Sequence, residues 1–399
     1  MPDDGQLSIR ALEKAALFVG EDGHMSRQRA FVRDQVIAYR VAAQGLHRTG
    51  RSVGKLAVLD IGVQDASPEL ARLSFDARLS SPVPADGIGP KEPLALVWSL
   101  RGAPHVHLRA DLDAVARALY PLSEADATGR LNETGPSVGR AGIPALEQFD
   151  LAVDAMRAVV RKPMGKGAAS TAVTKRLPDV MGRNCRGCHA VHISDSAMRP
   201  AALAAGLELE PGTAPPVLHR RTGSKVVKQV DVRALHRLIK AYLSLLGPAT
   251  QADVAGYLDA RRADVAEVWP DGLEEVSVDG QVAWLPAGQA DELTAAPPPE
   301  VVRLLSAFDP YLQARDRALI VPDKALHKVL WPVLGRPGAV FVDGEVAGTW
   351  RPKSSGKKLT LKVEAFAPLP PSAWKQIEAE AQRVAAVRGA ADVTVSRVE

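Results

Sequence analysis

One stretch of the chain carries helix and strand signals in an order that few folds can accommodate. Over residues 232–246 the apolar side chains recur with the spacing of one buried helical face, and Gly247-Pro248 ends that helix. A second helix is predicted over 250–260, capped by the Thr250 hydroxyl, and a third apolar face follows over 261–269. Two alternating runs then flank Asp279-Gly280, a dipeptide that favours a type I′ hairpin turn. The sequence therefore predicts helices followed by an antiparallel hairpin.

Three helices followed by a hairpin is the element order of a winged helix, which we predict for residues 230–294. Residues 29–128 show a less regular version of the same order. There we expect helices over 30–46, 53–65 and 68–79, followed by the runs LALVWSL and PHVHL as wing strands.

Clusters of proline and glycine divide the rest of the chain. Residues 142–222 begin with an amphipathic helix over 146–160 and are assigned to a second, basic winged helix. Residues 300–399 contain another Asp-Gly hairpin at 343–344, an alternating strand, and a helix over 372–388 with Gly389 at its C-terminus. Residues 1–28 are left as an N-terminal extension. The predicted fold class is α+β, with tandem winged helices and a C-terminal β-containing domain.

The length of 399 residues predicts two to four domains, and 46% hydrophobic and 24% charged residues are typical of globular chains. The longest uncharged run spans 241–252, shorter than the roughly 18 residues of a membrane-spanning helix. The first residues carry Asp3 and Asp4 where a signal peptide would be basic. We therefore expect no membrane partner and a cytoplasmic location.

The net charge of +4 hides three basic clusters. Phosphate binding requires lysine and arginine concentrated on one surface, so these clusters favour double-stranded DNA as the partner, although a solvated basic surface would have the same composition. The candidate DNA contacts within them are Arg161, Lys162, Lys166, Lys175, Arg176, Arg220, Arg221, Lys225, Arg351 and Lys353.

The only two cysteines, Cys185 and Cys188, lie in the run CRGCHAVH beside His189 and His192. Cys-x-x-Cys is half of a common zinc site and a histidine can complete the ligand set, whereas no second Cys-x-x-Cys is available. Zinc at these four residues, a redox pair, and plain structural thiols all remain open. No phosphate-cradling glycine motif is present, so we expect no nucleotide cofactor and no organic cofactor.

His105 and His107 alternate on a predicted strand and therefore share one face. Two histidines there can contact phosphate, a flipped nucleotide or a metal. Alternatively, they are hydrogen-bonded strand histidines without a chemical role.

Several separated motifs occur in an order that matches one family. LDIGVQDASPELARLSFDARL (59–79), SLRGAPHVHLRADL (99–112) and LLSAFDPYLQARDRALIV followed by VFVDGEVAGTWR (340–351) are similar to the AlkZ/YcaQ-type winged-helix DNA glycosylases. The resemblance covers about residues 30–369. It implies tandem winged helices that form a cleft around DNA, and an activity that excises bulky alkylated purines or unhooks crosslinks.

In that family a Gln-apolar-Gln motif sits in the catalytic pocket, and the matching tripeptide here is Gln64-Asp65-Ala66. The first glutamine is kept, an acid replaces the apolar residue, and the third position is alanine. The resemblance makes Gln64 and Asp65 the candidate catalytic residues. Without it, Gln64 is a polar residue at a helix end and Asp65 a helix-terminal acid or half of a surface ion pair. The family's cleft segment likewise makes Arg101, His105 and His107 candidate DNA contacts, Arg101 as a phosphate clamp.

Cleaving an N-glycosidic bond builds positive charge on the sugar, so it needs a dipolar or negative group and a positioned water. Gln64 and Asp65 can supply these, which favours a DNA repair glycosylase. The alternative is a non-catalytic DNA-binding regulator or architectural protein on the same fold. A protein-binding scaffold would suit residues 261–267, where Arg261 and Arg262 are offset by Asp264 and Glu267. The oligomeric state is left open.

Overall fold

The computed structural model describes residues 28–67, 69–84, 86–131, 142–185, 187 and 189–398. Predicted features at Pro68, Cys188 and residues 1–27 lie outside these ranges. The helices are α1 (Arg33–Ala43), α2 (Leu70–Asp76), α3 (Leu112–Ala118), α4 (Glu124–Leu131), α5 (Ala145–Val159), α6 (Lys166–Thr174), α7 (Asp195–Ala204), α8 (Val232–Leu246), α9 (Gln251–Leu258), α10 (Arg262–Glu267), α11 (Gln289–Thr294), α12 (Arg317–Ile320), α13 (His327–Leu330) and α14 (Pro371–Val387).

The strands form four sheets, so the fold mixes helices and sheets as an α+β class predicts. In chain order the strands are β1 (Arg29–Phe31), β2 (Val63–Gln64), β3 (Leu94–Trp98), β4 (Pro104–Leu108), β5 (Met164–Gly165), β6 (Arg183–Cys185), β7 (Ala190–His192), β8 (Leu207–Leu209), β9 (Val217–Arg220), β10 (Leu273–Val278), β11 (Gln281–Pro286), β12 (Val302–Leu305), β13 (Gly338–Val342), β14 (Glu345–Ser355), β15 (Lys358–Ala365) and β16 (Asp392–Val398).

A six-stranded sheet, in the order β2-β4-β3-β8-β9-β5, joins the first two predicted segments. Its central strand β3 is buried along its whole length, which explains why LALVW is apolar without alternation. Helix α7 packs against β3 and β8, α5 packs on α7, and one hydrophobic core extends from Leu56 to Val227. The predicted ranges 29–128 and 142–222 therefore share a sheet and a core.

The element order predicted for residues 230–294 is present. Helix α8 spans Val232–Leu246, as its apolar stripe indicates, and the Thr250 hydroxyl accepts the Asp253 amide at the start of α9. The turn residues Asp279 and Gly280 have φ of 47° and 82°, which a type I′ turn requires. Strand β1 adds to this hairpin in parallel with β10, so the N-terminal part of the described chain packs with this unit.

The C-terminal part is a five-stranded sheet, β12-β13-β14-β15-β16, covered by α14. Its hairpin turns at Asp343-Gly344, as predicted, and Gly389 has the positive φ of 64° expected after a helix end. The parallel pairing of β15 with β16 is made through α14, because parallel neighbours need a crossover connection.

A fully buried ion pair ties the first predicted segment to the C-terminal part. Both guanidinium nitrogens Nη1 and Nη2 of Arg78 donate to Asp309 at 2.8 Å, and neither side chain is exposed to solvent. Nearby, Arg40 binds Asp316. Two of the separated sequence motifs, around 59–79 and 304–321, are thus in direct contact.

Residues 53–65 differ from the predicted helix. They form short 3₁₀ turns followed by β2, which pairs with β4 forty residues later in the chain. Gly62 has φ of 75°, a conformation that interrupts any helix at this point. Across the described residues, no helix combines the length and apolar character needed to cross a bilayer.

Candidate active site

Gln64 lies on the short strand β2, directly opposite His105 on β4. Side chains that face each other in an antiparallel pair project from the same side of the sheet, so the amide and the imidazole are neighbours. Gln64 is only 7% exposed, yet its side chain has no hydrogen-bond partner among the described residues. The Gln64 amide is therefore available to a water or a ligand, while a buried polar atom of the same sheet that does lack a partner is the Nδ1 of His107.

The two histidines share one face of β4, as their alternation predicted, with ring centroids 6.2 Å apart. Both are buried rather than exposed. The Nδ1–H of His105 donates to the Ala103 carbonyl at 2.9 Å, so its Nε2 carries the lone pair when the ring is neutral. The Nε2 of His107 lies 3.0 Å from the Ser99 hydroxyl.

Both imidazoles are held neutral at physiological pH. Burial, followed by the charges of His107 and Arg101, lowers the pKa of His105 well below its ordinary value. Burial alone lowers the pKa of His107 to about 4. His105 therefore presents a neutral acceptor nitrogen beside Gln64, and no partner for that nitrogen lies within the described ranges.

Asp65 points away from Gln64, because successive side chains of an extended segment lie on opposite faces. Its backbone amide continues the pairing with β4 by donating to the Pro104 carbonyl at 2.9 Å. Its carboxylate accepts the Ala71 amide at 3.0 Å at the start of α2. Burial raises the pKa of Asp65 to about 6, against the opposing effect of the backbone hydrogen bonds from Ala71 and Leu70.

Gly62 fixes the position of His107. A methyl group at Gly62 would overlap the His107 ring, and the positive φ disfavours any other residue. The glycine before β2 thus lets the sheet close on the histidine pair.

A cavity of about 330 Å³ lies where the turn 99–102 meets α3, α5, α7 and the end of α9. Three arginines line it, Arg101, Arg130 and Arg199, together with Asp195 and Asp259. Ser99, the partner of His107, lines it too, whereas neither Gln64 nor Asp65 does.

The family model for AlkZ-like DNA glycosylases matches residues 59–387, most of the chain. The chain belongs to the AlkZ-like DNA glycosylase family. A curated relative, the interstrand DNA cross-link repair glycosylase of Streptomyces sahachiroi, is 30% identical over 168 residues, which are 40% of this chain and 44% of the relative. The match therefore spans less than half of that relative's length. The solved structure of Streptomyces sahachiroi DNA glycosylase AlkZ superimposes with a TM-score of 0.70 at 20% identity, covering 92% of this chain and all of that one.

Within this AlkZ-like fold, the predicted DNA contacts fall into two groups. Eight of them are exposed, namely Arg161, Lys162, Lys175, Arg176, Arg220, Lys225, Arg351 and Lys353. They remain predicted contacts.

The other group is at least half-buried and bound within the protein. Arg221 is buried and bonded to Asp113 at 2.5 Å, and Lys166 contacts Asp195 at 2.7 Å. Arg101 donates to the Tyr257 carbonyl at 2.7 Å, and burial lowers its pKa. Carboxylates, carbonyls and hydroxyls of the same chain already engage these side chains, as they do those of His105 and His107. Their contacts with DNA stay predictions.

Three of the four predicted metal ligands lie on or beside the hairpin of β6 and β7. The Cys185 thiol interacts with His192. Hydrogen bonds of the His192 ring with the Ile193 carbonyl and with Cys185 are the main reasons why the pKa of His192 is raised. His189 is exposed with φ of 51°. No cluster of three or more metal-ligating side chains is found in the described part of the chain, from which Cys188 is missing. Zinc at this hairpin stays a prediction.

Sequence reasoning missed the cavity residues Arg130, Arg199 and Tyr120. Arg199 stacks over Trp98 with its guanidinium carbon 5.7 Å from the ring centroid, and it pairs with Asp195 one helical turn earlier at 2.7 Å. The Asp195–Arg199 spacing is visible in the sequence, but a surface helix pair has the same spacing.

Proposed function

We propose that this protein is a DNA repair glycosylase that hydrolyses the N-glycosidic bond of alkylated purines, including bulky or crosslinked ones, in double-stranded DNA. The observation that carries the proposal is the unpartnered Gln64 amide opposite the neutral His105 ring. Membership of the AlkZ-like family supports it. The curated relative, which is named as an interstrand cross-link repair glycosylase, supports the choice of lesion.

Hydrolysis of the glycosidic bond to an alkylated purine needs only weak catalytic groups from the protein. In hydrolysis the bond between the sugar C1′ and the purine nitrogen breaks, and the base leaves with the electron pair. An alkylated purine that carries positive charge becomes neutral as it leaves. The oxygen of a water molecule bonds to C1′, and the proton of that water passes to an acceptor. Weak neutral acceptors suffice because the leaving group is already activated.

The Gln64 carbonyl and the His105 Nε2 are acceptors of this kind. Both are dipolar and uncharged, so they orient a water and stabilise a cationic sugar without pairing permanently with the arginines nearby. Asp65, with a pKa of about 6, lies on the opposite face and caps α2. We assign it to holding β2 in register rather than to the reacting atoms.

The DNA-binding part of the proposal rests on the helical units. The order α8, α9, α10, β10 and β11 is that of a winged helix, and we infer that it and the units around the six-stranded sheet act as tandem winged helices along a duplex. The exposed basic residues on β9, β14 and the ends of α5 and α6 supply phosphate contacts. The reaction requires no organic cofactor and no nucleotide.

The direct test incubates the protein with a duplex that carries one N7-alkylated guanine and measures abasic sites by alkaline strand cleavage. A lesion-free duplex and a reaction without protein are the controls, the second because such adducts depurinate unaided. Abasic product above both controls is expected. A protein that binds the duplex tightly and in a salt-sensitive way, but yields no product from bulky or small adducts, is a non-catalytic DNA-binding protein instead.

A further inference from the structure

Four arginines from separate stretches of the chain gather on one side of the molecule. We call Arg101, Arg315, Arg317 and Arg336 the arginine cluster. Arg101 and Arg315 are both held at the end of α9, where Arg101 donates to the Tyr257 carbonyl at 2.7 Å and the Arg315 Nε to the Gly256 carbonyl at 2.8 Å. Burial and then the charges of Arg317, Arg101 and Arg315 lower the pKa of Arg336, so each of these three lies within electrostatic range of Arg336.

The arginine cluster has no ion pair with a carboxylate among the described residues. The acid that acts on Arg101 is Asp259, while Asp316, the neighbour of Arg317, is bonded to Arg40. Two of the guanidinium groups lie over aromatic rings instead, Arg317 over Trp331 at 5.0 Å and Arg336 over Phe308 at 4.9 Å. Like charges that form no ion pair with a carboxylate favour an anionic ligand.

The loop that contains Arg336 also carries two exposed apolar side chains at its tip. Val333 is 97% exposed and Leu334 is 87% exposed, the two highest values among the large hydrophobic residues described. They lie in the loop between α13 and β13, in the run WPVLGRPG, and Pro332 and Pro337 on either side restrict the backbone.

The base of the loop is anchored although its tip is exposed. The Trp331 indole is buried and donates to the Leu312 carbonyl at 3.2 Å. Arg351 donates to the Gly335 carbonyl at 2.6 Å, and Arg336 lies over Phe308. An anchored loop that presents two adjacent, almost fully exposed aliphatic side chains to solvent offers apolar surface that a ligand can cover.

We propose that the loop 332–337 inserts Val333 and Leu334 between base steps of duplex DNA while Arg317 and Arg336 of the arginine cluster bind the flanking phosphates. Apolar side chains that enter a groove partly unstack a base step, and arginines beside them hold the backbone in place. Unstacking next to a lesion lowers the cost of flipping the damaged nucleotide. The inference rests on the proposed function in one respect, the choice of duplex DNA as the ligand.

The positive charge of the arginine cluster favours DNA over a protein as the partner of this loop. A protein groove that covered Val333 and Leu334 would have to bring at least three acids to the same place, whereas a duplex brings a phosphate at every step of each strand. Arg351, an independently predicted DNA contact, is bonded to the loop itself, which places a third basic cluster at the same surface.

The test uses duplex DNA that carries 2-aminopurine beside a stable abasic analogue. The fluorescence of 2-aminopurine rises when it unstacks from its neighbouring bases. The double variant Val333→Ser/Leu334→Ser is compared with Val32→Ser, a change at another exposed valine that precedes a helix, where serine is a good cap. The double variant Arg317→Gln/Arg336→Gln is compared with Arg397→Gln. Arg397 also stacks on an aromatic ring, that of Trp374, but it pairs with Glu378 and lies outside the arginine cluster. Thermal unfolding establishes that each variant is folded.

The apolar double variant is expected to abolish most of the fluorescence rise with little change in the salt dependence of binding. The arginine double variant is expected to weaken binding roughly three- to tenfold and to reduce the slope of log K against log salt by about 1 per arginine. Folded variants that match wild type in both measurements would overturn the inference, as would a wild-type protein that does not bind duplex DNA. Neither measurement requires cleavage of the glycosidic bond. If the wild-type protein binds duplex DNA but does not excise the base, the proposed function fails and this inference stands. If the wild-type protein excises the base and the variants behave as wild type, this inference fails and the proposed function stands.

Discussion

Gln64 and His105 face each other across the antiparallel pair of β2 and β4, and neither the Gln64 amide nor the His105 Nε2 has a hydrogen-bond partner in the described structure. Neighbouring polar groups usually satisfy each other or a backbone group when they are buried. Here the Ala103 carbonyl accepts the His105 Nδ1–H and the Ser99 hydroxyl binds the His107 Nε2, while the buried His107 Nδ1 has no partner among the described residues. The Gln64 carbonyl and the His105 Nε2 project from the same side of the sheet. This arrangement is suited to holding a water molecule.

Replacing Gln64 with alanine should reduce excision of an N7-alkylated guanine at least roughly tenfold, a loss of about 1.4 kcal/mol of transition-state stabilisation. The single-turnover rate measures this, and the matched control is Gln382→Ala on the exposed face of α14. Gln64→Ala loses no hydrogen bond within the protein, so any fall in the unfolding free energy is expected to come from the lost packing of its buried methylene groups. An unchanged rate would remove Gln64 from the reacting site.

Substituting Asp65 with asparagine should stabilise the protein at neutral pH. Burial raises the pKa of Asp65 to about 6 from an ordinary value of 3.8, so the folded state holds this proton more tightly than the unfolded state. The contribution of Asp65 to stability is thus greatest below pH 4 and is lost as pH rises through 6. Asparagine keeps an oxygen that accepts the Ala71 amide but carries no charge to desolvate.

The expected gain for Asp65→Asn at pH 7.5 is on the order of 1–3 kcal/mol in the free energy of unfolding. The gain should shrink toward zero near pH 4, and chemical denaturation at the two pH values measures it. Asp65→Ala serves as the control, since it removes both the charge and the cap. A destabilisation of Asp65→Asn that is equal at both pH values would contradict the assigned pKa shift.

Alanine at Gly62 should destabilise the protein more than alanine at Gly280. Both glycines have positive φ, 75° and 82°, so alanine at either position should lower the unfolding free energy by about 1–2 kcal/mol through backbone strain. A methyl group at Gly280 meets nothing within 4 Å, whereas one at Gly62 overlaps the His107 ring. The excess loss of unfolding free energy in Gly62→Ala therefore measures the cost of moving His107. Equal losses in the two variants would show that the histidine moves freely.

Local patterns in the sequence predicted α8 and both Asp-Gly hairpins correctly, because an apolar stripe and a turn dipeptide act over a few residues. The segment 53–65 was predicted wrongly for the opposite reason. Its last residues form β2 only by pairing with β4, and Gly62 has a positive φ at a point where the His107 ring leaves no space for a side chain. A helix prediction from residue spacing takes account of neither the pairing with β4 nor the approach of the His107 ring.

The candidate site shows the same limit. The strand pattern placed His105 and His107 on one face, but their burial depends on packing that the sequence does not encode locally. Gln64 became a candidate through family resemblance, and its position opposite His105 is visible only in the sheet. The arginine cluster was missed because its members come from residues 101, 315–317 and 336, which form no basic run.

Arg221 and Arg176 illustrate how burial changes the meaning of a basic run, and they provide the final prediction. Arg176 is exposed, whereas Arg221 is buried and bonded to Asp113 at 2.5 Å. Arg176→Gln, made together with Lys175→Gln, should reduce the salt slope of DNA binding by about 1 per charge and leave the unfolding free energy unchanged. Arg221→Gln should do the reverse, since it removes a paired guanidinium from the interior and leaves the DNA surface intact. Denaturation curves and salt titrations of the two variants check this, and a loss of salt slope in Arg221→Gln without a loss of stability would restore Arg221 to the DNA contacts.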